Sequence, residues 1–524
     1  MTLGIMAGGI HHITAITRKI QANVDFYAGF LGLKLVKRTA GYEDADQLHL
    51  FYGDAAASPG SLVTFLAWED GSPGRVGLGQ PSEIAFAIRP EAIGFWLTRA
   101  LTHNIALTGP AQEFGEPVLR LKDPDGIIVK LVGEAGVDGS APHVTKEIVA
   151  ADAIQRIRGA TILSEKPGET AAFIAGHFGF RTVAEANGIL RLAGGAGDVI
   201  DIRNASGFWT AAPGTGTIDH VALRAPDRPA VEAAAARLAR EGAGDTNMHD
   251  RTYFYSLYVR EPGGSLVEYA TDGPGMTVDE PPETLGTRLF VPKHFRADPD
   301  DVRARLPQFS LPGEERMSER DLPFIHRLHR PQTPDGTAVV LLHGTGGNET
   351  SLLPFGARLA PNAVLLSPRG RSNDEGYPRF FRRLTAVTFD QKDIMGEAEA
   401  FAAFMEGANA AYGLDPEKTL FVGYSNGANM IGAVMLLHPG IVRNAVLLRG
   451  MNVLESMPAA GAPDKANVLM LSGEADPYGR FAGDLERLLA ARGASVEHRL
   501  LPAGHDIGPA DLELAKAYKE RVIG

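Results

Sequence analysis

The chain has no cysteine among its 524 residues, three tryptophans and only 7% aromatic residues. The missing cysteine excludes disulfides, thiolate metal sites and a thiol nucleophile, so any metal must be held by His, Asp or Glu. No apolar run reaches the ~18 residues a membrane-spanning helix needs. The first ten residues, MTLGIMAGGI, lack basic residues ahead of their apolar ones and do not read as a secretory leader, so a cytoplasmic location with no membrane partner is the default expectation. Positive charge is also short: Lys and Arg number 51 against 63 Asp and Glu, a net charge of -12. That balance speaks against a nucleic-acid partner, whose phosphates want a basic surface. What remains is 44% hydrophobic and 22% charged, a globular composition too long for a single core.

Internal repetition organises the first half. Residues 23-NVDFYAGFLGLKLVKR-38 match 169-ETAAFIAGHFGFRTVA-184, and 122-KDPDGIIVKLVGE-134 match 260-REPGGSLVEYATD-272. Together with the strand-like 82-SEIAFAIRP-90 and 218-IDHVALRAP-226, they read as four βαβββ-like modules beginning near residues 9, 81, 156 and 216. Residues 273–324 are rich in Pro and charge, as a partly helical tail and linker would be. Beyond them, continuous apolar runs such as 338-AVVLL-342, 418-KTLFVG-423 and 467-NVLMLSG-473 alternate with helical stretches. That pattern predicts a mostly parallel sheet covered on both faces. The expected division is modules one and two over 1–145, modules three and four over 146–280, tail and linker over 281–324, and an α/β domain over 325–524.

Equivalent positions of the four modules can be compared as columns. The first strands place His12, Glu83, Ala160 and His220 in one column, and the last strands place Thr64, Lys130, Asp201 and Glu268 in another. Modules one and four therefore supply His12, His220 and Glu268, whereas modules two and three supply no histidine. Two imidazoles and one carboxylate with open positions suit non-haem Fe(II) and oxygen chemistry, and Mn(II) accepts the same donors. His11 and His12 adjoin on a predicted strand, where successive side chains point to opposite faces, so the two rings are expected to do different work. His177, His249 and His294 read as ordinary surface or core histidines.

This half resembles the vicinal oxygen chelate superfamily, over roughly residues 8–310 including 284-TLGTRLFVP-292, and within it the ring-cleaving dioxygenases that act on hydroquinones. The resemblance implies an α+β fold of four βαβββ modules, a metal between the first and last modules, and a small aromatic substrate with O2. It also implies substrate-side roles for His11, Thr14, Arg251 and Tyr258. One departure stands out: Asp219 precedes the second ligand, where that group commonly has a histidine. Two rivals remain at this level. A metal-free binding module would hold no ion, and a glyoxalase-like isomerase would want a fourth ligand where the column offers only Thr64.

In the second half, Gly423-Tyr424-Ser425-Asn426-Gly427 is a G-x-S-x-G turn between a strand and a helix. An acid candidate, Asp476, follows the strand 467-NVLMLSG-473, and a base candidate, His505, lies in 501-LPAGHDIG-508. The order Ser, Asp, His is that of α/β-hydrolases, and each residue sits beyond the C-terminal end of a strand. The region 325–524 resembles small carboxylesterase and phospholipase-type α/β-hydrolases. That resemblance implies an oxyanion hole from the backbone N–H groups of Thr345, in 343-HGTGG-347, and Asn426, with no cofactor. No long insertion follows Ser425, so a small ester or acyl substrate is expected. The oligomeric state, a homo-oligomer included, stays open.

Overall fold

The structure, a computed structural model, describes residues 8–139, 141–242, 246–316, 321–373, 375–456 and 465–524. Two compact units divide them. One holds the chain up to Arg296 together with Phe309–Arg316; the other holds Ala297–Gln308 and the chain from residue 317 to Gly524. None of the helices among the described residues is long and apolar enough to cross a membrane.

The first unit is built on two sheets. In every module the first strand pairs in parallel with the last, as Ile10–Thr17 does with Leu62–Ala67 and Ile218–Ala225 with Leu266–Pro274. The helix between them supplies the crossover that parallel neighbours need. Modules one and four then join through antiparallel pairing of Ile10–Thr17 with Ile218–Ala225, giving a nine-stranded sheet. Modules two and three join the same way, through Gln80–Ile88 and Arg156–Ser164, into an eight-stranded sheet. The sheets therefore cross the boundary drawn at 145/146, because the first strand of module two pairs with that of module three and the first strand of module one with that of module four.

The stretch 281–324 is likewise not one linker. Leu289–Phe290 adds a short parallel strand beside Lys34–Ala40. Buried Lys37 fastens this tail, its Nζ lying 2.7 Å from Asp279, 3.0 Å from Glu280 and 4.2 Å from the centre of the Phe290 ring. The helix Pro299–Arg305 instead belongs to the second unit, where Arg358 pairs with Asp301.

The second unit is a seven-stranded sheet whose strands run parallel except for the edge strand His326–His329. Strand Ala338–Leu342 is buried throughout. Val340 and Leu342 face the core built with helices Gln391–Tyr412 and Asn426–Leu437, while Val339 and Leu341 face the core on the other side, with Leu353–Leu359 and Pro509–Ile523. Alternate residues on opposite faces, both apolar, are why these strands read as unbroken hydrophobic runs.

Candidate active sites

One face of the nine-stranded sheet carries the first site. His12 lies opposite Ala222, Ala222 opposite Glu268, and Glu268 opposite Tyr258, while Thr14 lies opposite His220. In-register neighbours share a face, so the pleat brings the two imidazoles and the carboxylate together. One ligand atom from each of His12, His220 and Glu268 lies within 4.8 Å of the others. Glu268 Oε2 stands 3.0 Å from His12 Nε2 and 2.8 Å from His220 Nε2, and all three side chains are buried.

The donor set fits a divalent cation. His220 Nε2 and Glu268 Oε2 are close but not aligned as donor and acceptor, and both are buried without a hydrogen bond. Polar atoms in that state are costly unless something else satisfies them, and a shared cation does so. The surrounding residues hold the lone pairs inward. His220 Nδ1 donates to Asp219 Oδ2 at 2.7 Å, which leaves Nε2 free to ligate. Ser256 donates to the other oxygen of Glu268. Burial alone would lower the His220 pKa, but the Asp219 hydrogen bond and the nearby carboxylates of Asp219 and Glu268 outweigh it and raise it to about 9. Without an ion, the two carboxylates thus favour a proton on this imidazole, which a cation must displace.

His11 does not face the cavity. Its Nδ1 lies 2.8 Å from His12 Nδ1, and both rings pack on Phe254 at centroid distances of 5.2 and 5.1 Å. Strict alternation forbids that meeting. It occurs because the pairing with the neighbouring strand shifts register between Ile10 and His12, and such a bulge turns consecutive side chains toward one side. Burial, then the neighbouring His12, holds the His11 imidazolium down to about 3, so His11 is neutral and can accept the His12 Nδ1 proton. The expectation of opposite faces is corrected accordingly, and His11 lies against His12 rather than on the cavity wall.

Beside the three ligands opens a cavity of about 500 Å³. Thr14, Asp219, Arg251 and Tyr258 line it, as do Tyr42, His49 and His249. The Arg251 guanidinium covers the rings of Tyr42 at 4.3 Å and Tyr258 at 5.2 Å and reaches Glu43 at 3.2 Å. Thr64 is occupied: its hydroxyl bonds Thr14 at 3.0 Å and His49 Nε2 at 2.9 Å. His249, read as ordinary, packs its ring on Tyr42 and Tyr258, and His294 bonds the Tyr42 carbonyl at 2.9 Å. His49 had escaped notice because 48-LHLFYG-53 carries no motif. Its one clue is that His49 and Phe51 alternate on a single face.

Among the described residues, the equivalent face of the eight-stranded sheet holds no such cluster. There Lys130 Nζ stands 3.1 Å from Glu83, 3.4 Å from Glu113 and 3.9 Å from Asp201, while Arg191 grips Asp201 with two hydrogen bonds of 2.8 and 2.9 Å. The ammonium supplies the positive charge that a metal would supply in the other sheet.

The second site sits at the carboxyl end of the parallel sheet. Ser425 follows strand Thr419–Tyr424 at φ 51°, and helix Asn426–Leu437 begins directly after it. A side chain at Gly427 would meet the Leu342 carbonyl oxygen at 2.1 Å, and one at Gly423 the Ala428 nitrogen at 2.6 Å, so the elbow requires both glycines. Ser425 Oγ lies 3.0 Å from His505 Nε2, and His505 Nδ1 lies 3.0 Å from Asp476 Oδ2. Thr345 and Asn426 line the adjoining cavity of about 250 Å³. His343 shapes the oxyanion loop, with Nδ1 bonding the Gly344 carbonyl at 2.7 Å and Nε2 accepting the Gly370 N–H at 3.0 Å.

Two further residues were not foreseen. Arg449 is buried at φ 57°, paired with Asp511 at 2.7 and 2.9 Å, and donates to the carbonyls of Gly504 and Asp506 at 2.9 and 2.8 Å. The arginine therefore clamps both neighbours of His505.

A vicinal oxygen chelate fold with a two-histidine, one-carboxylate centre, joined to an α/β-hydrolase fold with a complete serine triad, is the class these geometries define. Comparison with known proteins makes it specific. The chain belongs to the Glyoxalase/Bleomycin resistance protein/Dioxygenase superfamily, whose family profile matches residues 9–131, and within it to the ring-cleaving dioxygenases. MhqO of Bacillus subtilis, named for a ring-cleaving dioxygenase, is 36% identical over 311 residues, 59% of this chain and 97% of MhqO. The chlorohydroquinone/hydroquinone 1,2-dioxygenase of Sphingobium indicum is 30% identical over 312 residues, 56% of this chain and 94% of its own. A Bacillus subtilis crystal structure named for a dioxygenase superposes with a TM-score of 0.56 at 34% identity, covering 58% of this chain and 98% of that one. MhqD, a Bacillus subtilis protein named for a hydrolase, is 33% identical over 205 residues, 38% of this chain and all of MhqD. Two separate Bacillus subtilis polypeptides thus correspond to the two parts of this one.

Proposed function

We propose that the first unit is a metal-dependent, extradiol-type dioxygenase that opens the ring of hydroquinone- or catechol-like phenols, and that the second is a serine esterase acting on a small ester or acyl group, either the cleavage product or a substrate conjugate. The convergence of His12, His220 and Glu268 beside a 500 Å³ cavity carries the oxygenase reading. The name of the Sphingobium relative supports the substrate class.

His12, His220 and Glu268 would hold the ion. When bound, Fe(II), or Mn(II) on the same donors, supplies Lewis acidity and redox chemistry toward a phenol and O2. The chain's own residues do the rest. Arg251 places a fixed positive charge on the cavity wall, suited to a phenolate oxygen. Burial and the Glu268 carboxylate raise the Tyr258 pKa well above its ordinary value, so its phenol stays a proton donor that can orient a ring oxygen. Phe51, Phe254 and Tyr42 offer aromatic surface to a flat substrate. Because Thr64 is already engaged by Thr14 and His49, no fourth protein ligand stands where an isomerase would need one.

In the second unit, Ser425 attacks the acyl carbon while His505 takes its proton and Asp476 holds the imidazole. The Thr345 and Asn426 N–H groups would hold the oxyanion. Losing one such donor costs roughly 3–4 kcal/mol of transition-state stabilisation.

Oxygen consumption with hydroquinone and with catechol after anaerobic Fe(II) loading tests the oxygenase reading. Uptake that requires Fe(II) and is lost in His12→Ala is expected. No uptake with any diphenol, alongside intact esterase activity, would leave the first unit as a binding module.

A further inference from the structure

Arginine is concentrated where the hydrolase acts. The cavity beside Ser425 is lined by Arg379, Arg383 and Arg449 and by no Asp or Glu among the described residues, in a chain whose net charge is -12. Arg449 is neutralised by Asp511. The other two share a single carboxylate, Glu375 lying 2.7 Å from Arg379 Nη2 and 3.1 Å from Arg383 Nη2. Among the described residues, one positive charge at the cavity wall therefore has no carboxylate of its own. Arg383 has no other side-chain partner among the described residues, which leaves most of its guanidinium N–H groups free.

The segment that carries the arginines is held firmly. They flank Phe380 and Phe381, both fully buried, and the Phe380 N–H donates to Asn426 Oδ1 at 2.7 Å, tying the segment to the residue after the nucleophile. Arg379 Nε lies 3.4 Å from the hydroxyl of Thr345, the residue whose N–H is proposed for the oxyanion. A preorganised guanidinium beside a nucleophile recognises a carboxylate with charge-assisted hydrogen bonds. The cavity, about 250 Å³, is at the small end of ligand sites.

We propose that this site takes a short ester whose acyl chain ends in a carboxylate, bound by Arg383 with Arg379 behind it; this rests on the serine-hydrolase reading above. In the reaction the Ser425 Oγ–acyl bond forms and the ester C–O bond breaks. The serine proton passes through His505 Nε2 to the leaving alkoxide, and water then releases a dicarboxylate by the same route. Such a substrate also suits the first unit's proposed chemistry, since opening a diphenol ring with both atoms of O2 leaves a carboxylate on the chain.

The test compares kcat/KM for monomethyl succinate and for methyl pentanoate, a neutral ester of similar length, using the full chain and its Arg383→Met and Arg383→Lys variants at low and high salt. The charged-to-neutral ratio should fall about tenfold or more in Arg383→Met, as for loss of a charge-assisted hydrogen bond, and recover in part in Arg383→Lys. High salt should lower the wild-type ratio more than that of Arg383→Met. An unchanged ratio in Arg383→Met, or a wild type that hydrolyses only the neutral ester, overturns the proposal while the hydrolase reading stands. A wild type inert toward both esters overturns the hydrolase reading, and this inference with it.

Discussion

His11 and His12 are neighbours in sequence and partners in space, and only His12 is proposed as a ligand. If His11 orients His12 through the 2.8 Å contact between their Nδ1 atoms, removing it should loosen the metal without abolishing binding. We expect His11→Ala to weaken Fe(II) affinity by about 10–100-fold, as for other groups behind a ligand, and His12→Ala to lose it; competition against a chelator measures both. The columns of the repeat pointed to His12, His220 and Glu268, because ligands in equivalent positions stand out. They could not show His49 or His249, which have no equivalents and enter the cavity only through strand register. In the hydrolase, Ser425, Asp476 and His505 were legible from their order. Arg449 was not, since its role arises from carbonyls at residues 504 and 506 that the fold alone brings near. Arg449→Met leaves Asp511 buried and unpaired, and should cost about 3–5 kcal/mol in chemical denaturation.

At the level of elements, alternation and repetition announced the strands, and the βαβββ period marked the modules. The bulge near residue 11 was invisible, because a register shift depends on the partner strand and not on the local pattern. The meeting of module one with module four was legible in the ligand columns and in the resemblance, but the pairing of two with three was not, since local sequence says nothing of which edges pair. The two sheets also differ in what neutralises their buried acids. Lys130 does so in the eight-stranded sheet together with Arg120, which lies 3.0 Å from Glu83, and Arg191, so Lys130→Met should take one of two cationic partners from Glu83 and lower stability by about 1–3 kcal/mol. Thermal unfolding of the variant checks this. An unchanged midpoint would mean that Arg120 and Arg191 suffice without the ammonium.

The whole molecule carries two chemistries on one chain, each complete within its own unit. The triad uses no residue of the first unit, and the two-histidine, one-carboxylate centre uses none of the second. Ser425→Ala should therefore erase hydrolysis of a small chromogenic ester and leave O2 uptake intact, while stripping the metal should do the reverse. Loss of both activities in either experiment would show that the sites depend on each other. The internal repeat and the alternation of apolar runs with helices foretold the two folds, but not how residues 281–324 are shared between the units. Pro-rich, charged sequence looks alike whether it links or packs, and here buried Lys37 decides the matter for the segment that follows Asp279.

The central claim is that His12, His220 and Glu268 grip one divalent ion. Metal content per chain, measured after anaerobic Fe(II) loading and desalting of the wild type and Glu268→Ala, tests it most directly. The account predicts one equivalent in the wild type and none retained in the variant. Equal retention by both, or none by either, would contradict it.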